Sequence, residues 1–113
     1  MPPRDLRTCL HDVLMAGERI QEATSGLSLD DYKTDWVVRA AVERQFGIIG
    51  EALRRASMID LSLTERISDA PKIIAFRNQV IHGYDVIDDE LVWGIIDRYL
   101  PTLMREVEAI LAE

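Results

Sequence analysis

Apolar residues recur every three or four positions along most of this 113-residue chain, and this spacing limits the folds open to it. The first run extends from Arg4 to Ala23 and is carried by Leu6, Cys9, Leu10, Val13, Leu14 and Ile20. Such spacing places apolar side chains on one face of an α-helix. No segment shows the sustained two-residue alternation that is typical of β-strands. The pattern therefore predicts an all-α fold.

A second helix is predicted to begin near Thr34 or Asp35, either of which can cap its free N–H groups, and to run to about Ala56. Its apolar residues cover more than one stripe, which predicts burial by the bundle and by a second subunit. Gly47 and Gly50 would let another backbone approach this helix closely. Packing is the default expectation for Trp36 and Trp93.

Turn and capping signals divide the rest of the chain. A short helix is expected after Ser62, where the residues follow the order of a capping box. Pro71 suits the first turn of a helix that Gly83 would end. Asp88 or Asp89 would cap a last helix that Pro101 should kink or restart. We expect a single domain over residues 1–113: an up-down bundle of four main helices plus a short helix, dimerising through the central helices.

Composition excludes several classes of function. The formal net charge of -7 gives no general basic surface for nucleic acid, so any RNA contact must be local. No apolar run approaches a membrane span, and the single cysteine, Cys9, agrees with a reducing compartment, so a cytoplasmic location without membrane contact is expected. The chain contains no phosphate-binding glycine loop and too few Cys and His residues for zinc. Neither a cofactor nor a metal is expected, and Asp30-Asp31 and Asp88-Asp89 are interpreted as helix caps.

The segment from Arg77 to Tyr84 carries a cation, an amide, an imidazole and a phenol at the end of an apolar helix. Asn78 and His82 lie one turn apart, so the amide can orient the imidazole. His82 can exchange a proton near neutral pH, and the Arg77 guanidinium can stabilise a phosphoryl group that gains charge. This combination suits metal-independent cleavage of RNA, in which the ribose 2′-OH attacks the phosphate. From spacing alone, a structural interpretation, with Arg77 in an ion pair and the other groups capping or packing, stays preferred.

The motif Arg77-x4-His82-x-Tyr84 resembles that of the HepT-like toxins, a branch of the HEPN ribonuclease superfamily. The resemblance extends over nearly the whole chain. Val42-Glu43-Arg44 and the run from Ile48 to Leu53 resemble that family's central-helix signature. The family also has similar residues at the positions of Phe76-Arg77-Asn78, Val92-Trp93 and Leu100-Pro101.

This resemblance implies a dimeric helical bundle with toxin ribonuclease activity of a type VII-like toxin-antitoxin system. It implies that Arg77 and His82 are the catalytic pair and that Asn78 supports them. It also implies that Tyr84 receives AMP from ATP through a cognate antitoxin, a minimal nucleotidyltransferase of the MntA type, with which the dimer can form a larger assembly. The added phosphate would exclude RNA by bulk and by charge.

Two other functions stay open. The chain could be a non-catalytic nucleotide- or protein-binding partner of the nucleotidyltransferase, or a purely structural dimeric bundle. If it binds RNA, we expect Arg54, Arg55, Arg77 and Arg44 to cluster around the cleft, with the acidic residues on the outer faces.

Overall fold

The structure is a computed structural model that describes the backbone of residues 2–82 and 87–113 and the side chains of residues 2–78 and 87–113. Every regular element in these ranges is helical, which confirms the all-α prediction. The elements are α1 (Arg4–Thr24), α2 (Leu29–Thr34), α3 (Trp36–Ile59), α4 (Leu63–Arg66), α5 (Ala70–His82), α6 (Asp89–Gly94), a π-helical turn (Ile95–Tyr99) and α7 (Leu100–Leu111). None of these helices combines the length and the apolar character that crossing a membrane requires.

Local signals in the sequence explain most helix ends. Asp35 accepts hydrogen bonds from the backbone N–H groups of Val37 and Val38, so it caps α3 as predicted. Asp88 caps α6 in the same way. The short helix α2 was not predicted. Ser28 and Asp31 form its reciprocal capping box, so Asp31 takes part in the cap from within the first turn of the helix.

Of two further predictions at helix ends, one is wrong and the other stays a prediction. The helix expected after Ser62 exists as α4, but Ser62 does not cap it, because its hydroxyl lies 2.6 Å from the Asp60 carboxylate instead. The predicted stop at Gly83 lies outside the described residues.

Pro101 acts as predicted and restarts the helix. Proline has no N–H to donate, and its ring clashes with the carbonyl one turn earlier. The chain adapts by a π-helical turn in which the Leu100 N–H donates to the Ile95 carbonyl, and Pro101 then lies in the first turn of α7.

Helix α3 is the centre of the fold and packs against α1 and α5. The rings of Phe46 on α3 and Phe76 on α5 meet edge to face, with 5.3 Å between their centroids. Edge-to-face aromatic pairs favour a defined geometry. Because both rings are buried, this contact fixes the distance between α3 and the part of α5 that carries Arg77.

The two tryptophans differ in their environment. Trp93 is partly buried and packs against Tyr32, with ring centroids 5.4 Å apart. Trp36, at the start of α3, is 70% exposed, so the expectation that it packs within the bundle is wrong for the single chain. Trp36 and the adjacent exposed Val37 form an apolar surface at the start of α3.

Candidate functional site

A cavity of about 490 Å³ lies between α1, α3 and α5. Among the residues whose side chains the structure describes, α3 supplies most of the wall, α1 supplies one side, and α5 contributes Arg77. The lining residues are Thr8, Cys9 and Asp12 of α1, Glu43, Arg44, Gly47, Ile48, Glu51, Ala52 and Arg55 of α3, and Arg77. The structure thus places one of the predicted catalytic residues at a concave surface of the kind that binds ligands.

The Arg77 side chain crosses from α5 to α3. Its Nη2 atom lies 3.0 Å from Oε2 of Glu51, and its Nη1 atom donates to Oδ1 of Asn78 over 3.0 Å. The aliphatic part of the Arg77 side chain, from Cβ to Cδ, which we call its stem, lies against Gly50. A methyl group added at Gly50 would come within 2.1 Å of the Arg77 Cβ. Gly50 therefore allows the close approach expected of it, although the approaching group is a side-chain stem rather than a backbone.

Glu51 also binds two further arginines of its own helix. Arg54 donates to it through Nη2 over 2.9 Å and through Nε over 3.2 Å, and Arg55 donates through Nε over 3.3 Å. The hydrogen bond from Arg54, together with the charges of Arg54 and Arg77, lowers the pKa of Glu51 below its ordinary value. Glu51 therefore stays ionised among the three guanidinium groups of Arg54, Arg55 and Arg77.

The expected arginine cluster is found in part. Arg44, Arg55 and Arg77 line the cavity, and Arg54 joins them through Glu51. The expectation that acidic residues lie on the outer faces is wrong, because Asp12, Glu43 and Glu51 share the same wall. For Glu51 the physical reason is that its carboxylate lowers the repulsion among Arg54, Arg55 and Arg77.

Two protonatable groups in the wall hold their protons more strongly than usual. Burial, followed by the charge of Asp89, raises the pKa of Glu43, and burial raises the pKa of the Cys9 thiol. Within the described residues, no three Cys, His, Asp or Glu side chains are placed to share a metal ion. His11, on α1, is exposed.

The other predicted site residues are located only in part. Asn78 is exposed and accepts the hydrogen bond from Arg77. His82 is the last residue of α5, but its side chain lies outside the described residues, as does the whole of Tyr84. Their assigned roles stay predictions.

Sequence reasoning gave Glu51 no role. The sequence does contain a signal for two of its ion pairs. Arg54 and Arg55 follow Glu51 by three and four positions, which is the spacing of ion pairs on a helix. Its pairing with Arg77 joins residues 26 positions apart, so local spacing could not show it.

Comparison with known proteins shows the family of this chain. Residues 13–110 match the family described as Ribonuclease HepT-like. The protein named "Putative RNase MJ1380" of Methanocaldococcus jannaschii is 31% identical over 112 residues, which is 97% of this chain and 100% of that protein. The protein named "Probable ribonuclease HepT" of Thermococcus cleftensis is 27% identical over 95% of this chain and 96% of its own length.

A further relative, "Putative RNase TTE0752" of Caldanaerobacter subterraneus subsp. tengcongensis, is 30% identical over 93% of both chains. No solved structure gives a significant match. The family match extends over most of the chain and includes α3, Arg77 and His82, so this chain belongs to the HepT-like ribonuclease family.

Proposed function

We propose that this chain is an endoribonuclease that cleaves RNA without a metal ion, with Arg77 and His82 as the catalytic pair. The observation that carries the proposal is the placement of the Arg77 guanidinium in the cavity between α1, α3 and α5, in a chain of this family. Arg44 and Arg55 in the same wall offer further donors to phosphates.

The reaction needs a base that removes the proton of the ribose 2′-hydroxyl and an acid that protonates the leaving 5′-oxygen. The ribose 2′-oxygen loses its proton to a base and forms a bond to phosphorus, while the bond from phosphorus to the 5′-oxygen breaks. The leaving 5′-oxygen takes a proton from an acid, and the products are a 2′,3′-cyclic phosphate and a 5′-hydroxyl. His82 is assigned to proton transfer. Arg77 is assigned to the phosphoryl oxygens, where charge increases in the transition state.

The testing experiment uses a labelled single-stranded RNA and protein treated with EDTA. We expect cleavage that continues in EDTA, with cyclic phosphate at the 3′ end of the first product. The same oligonucleotide with 2′-deoxyribose throughout is the matched control and should stay intact. If the wild type cleaves none of several RNAs, and its mass shows Tyr84 unmodified, the enzyme proposal fails and the non-catalytic binding partner becomes the better assignment.

We further propose that two copies of the chain pack through α3. The exposed and half-exposed residues Trp36, Val37, Arg44, Glu51, Arg55 and Met58 fall within one side of the helix at about 100° per residue, and we call this the exposed α3 face. Its two ends are apolar: Val37 is 57% exposed and Met58 is 69% exposed. Its middle carries the charged residues of the cavity wall. A second copy on this face would close the cavity between subunits.

Replacing Trp36 with glutamate tests the dimer. We expect the wild type to have the mass of two chains in sedimentation equilibrium, and Trp36→Glu to have the mass of one, because a buried charge without a partner opposes association. The fold should survive, since Trp36 is mostly exposed in the single chain. Leu91→Glu is the control, because Leu91 is an exposed apolar residue of α6 and should leave the dimer intact. A monomeric wild type would contradict the proposal.

The proposed partner that regulates the enzyme is a cognate minimal nucleotidyltransferase antitoxin, as in a toxin-antitoxin pair. Transfer of AMP from ATP to the Tyr84 hydroxyl would release pyrophosphate and add a negative phosphate close in sequence to His82. The support for this proposal is the position of Tyr84 in the motif and the family membership. Incubation with the antitoxin and ATP should add the mass of one AMP to the wild type and none to Tyr84→Phe.

A further inference from the structure

We propose that Glu51 is a positioning residue that holds the Arg77 guanidinium at the cavity. This inference rests on the proposed ribonuclease function, in which Arg77 must meet a phosphate. Glu51 Oε2 lies 3.0 Å from Arg77 Nη2, and the two side chains are 30% and 21% exposed, so the pair is partly shielded from water. Shielding makes such a charge-assisted hydrogen bond stronger than one on an open surface.

The second contact of Arg77, with Asn78, does not hold the guanidinium relative to α3. Asn78, which accepts from Nη1, adjoins Arg77 on α5 and therefore moves with it. Glu51 belongs to α3, the helix that forms most of the cavity wall. Of the two contacts, only the one to Glu51 fixes the guanidinium relative to that wall.

The neighbouring residue supports the same placement. Gly50 has no side chain, and the Arg77 stem occupies the space, with Cβ 2.1 Å and Cγ 2.5 Å from the position that a methyl group would take. Two consecutive residues of α3 thus contact Arg77. Gly50 leaves space for its aliphatic stem, and Glu51 binds its guanidinium.

The pair leaves Arg77 able to bind substrate. A guanidinium has five N–H donors; the contacts with Glu51 and Asn78 use one on Nη2 and one on Nη1, and Nε is buried without a hydrogen-bond partner. One N–H on each Nη atom therefore remains for a phosphate. Glu51 also divides its charge among Arg54, Arg55 and Arg77, so the group as a whole keeps a net positive charge for a phosphate. A carboxylate whose pKa is lowered stays ionised at neutral pH, which favours a positioning role over a role as proton donor.

The first test separates positioning from substrate binding. We measure kcat and KM for RNA with wild type, Glu51→Gln and Glu51→Ala. We expect kcat to fall about tenfold in Glu51→Gln, which keeps an oxygen acceptor for Arg77, and about a hundredfold in Glu51→Ala, within the range of misplaced catalytic groups. KM should not rise, because the loss of a negative charge favours RNA binding. Glu90→Gln, which breaks the exposed pair with Lys33, should match the wild type.

The inference is overturned if Glu51→Ala keeps the wild-type kcat, or if its whole loss of activity lies in KM. A second measurement does not depend on cleavage: urea unfolding of Glu51→Ala, Arg77→Ala and the double variant. We expect the two shifts of the unfolding midpoint to be non-additive, because each variant removes the same pair. Additive shifts would overturn the inference. Coupled shifts in a chain that cleaves no RNA would support the pairing and reject the ribonuclease proposal instead.

Discussion

Arg77→Ala is expected to lower the rate of RNA cleavage by about two to three orders of magnitude, the usual loss when one donor to a developing oxyanion is removed. Among the described side chains of α5, only Arg77 lies in the cavity wall, where its guanidinium can donate to a phosphate. Arg77→Lys should recover part of the rate, because it restores the charge but not the forked set of donors. Initial rates at saturating RNA measure the effect.

The control for this loss is Arg105→Ala. Arg105 is an exposed arginine of α7 outside the cavity, where its guanidinium reaches Thr102, so removing it changes the net charge equally and should leave cleavage unchanged. His82→Ala should lower the rate by about two to four orders of magnitude, as expected for a lost general acid or base. Circular dichroism should show all variants folded. Cleavage by folded Arg77→Ala at the wild-type rate would contradict the assigned role.

Periodicity and caps were enough to predict the helices that carry the site. The apolar run predicted a helix from Arg4 to Ala23, and α1 spans Arg4–Thr24. Asp35 was identified as a possible cap for α3, and it is the cap. Pro101 marked a restart, although the sequence could not show that a π-helical turn would absorb it. These features depend on residues within one or two turns of each other, which is the range that local patterns describe.

Apolar periodicity and helix caps could not predict the contacts between helices. An apolar pattern shows that Trp36 and Phe46 belong to one helix, but not that Trp36 is exposed while Phe46 packs on Phe76. Likewise, the motif singled out Arg77 without showing that Glu51 binds it across the interface between α3 and α5. Burial and pairing between distant positions depend on how the helices pack, so only the folded chain reveals them.

Gly50→Ala is expected to lower the free energy of unfolding by about 1–3 kcal/mol, the usual cost of overpacking a filled interior. The new methyl group would meet Cβ and Cγ of Arg77, and a Cβ cannot move without its backbone. Helices α3 and α5 would have to separate, against the edge-to-face contact of Phe46 and Phe76. The same displacement should lower cleavage, because it moves Arg77 away from Glu51. Urea unfolding followed by circular dichroism measures the change in stability.

Gly47→Ala provides the matched control, since Gly47 lies one turn earlier on the same helix and a methyl group there would meet no atom of the described structure within 4 Å. Both variants gain the same helix propensity, so Gly47→Ala should raise stability by about 0.5–1 kcal/mol. The difference between the two variants then isolates the contact with Arg77. Adding Arg77→Ala to Gly50→Ala should give only partial recovery, because alanine keeps the Cβ that lies at 2.1 Å. Equal stability of Gly50→Ala and Gly47→Ala would show that α5 does not lie this close to α3.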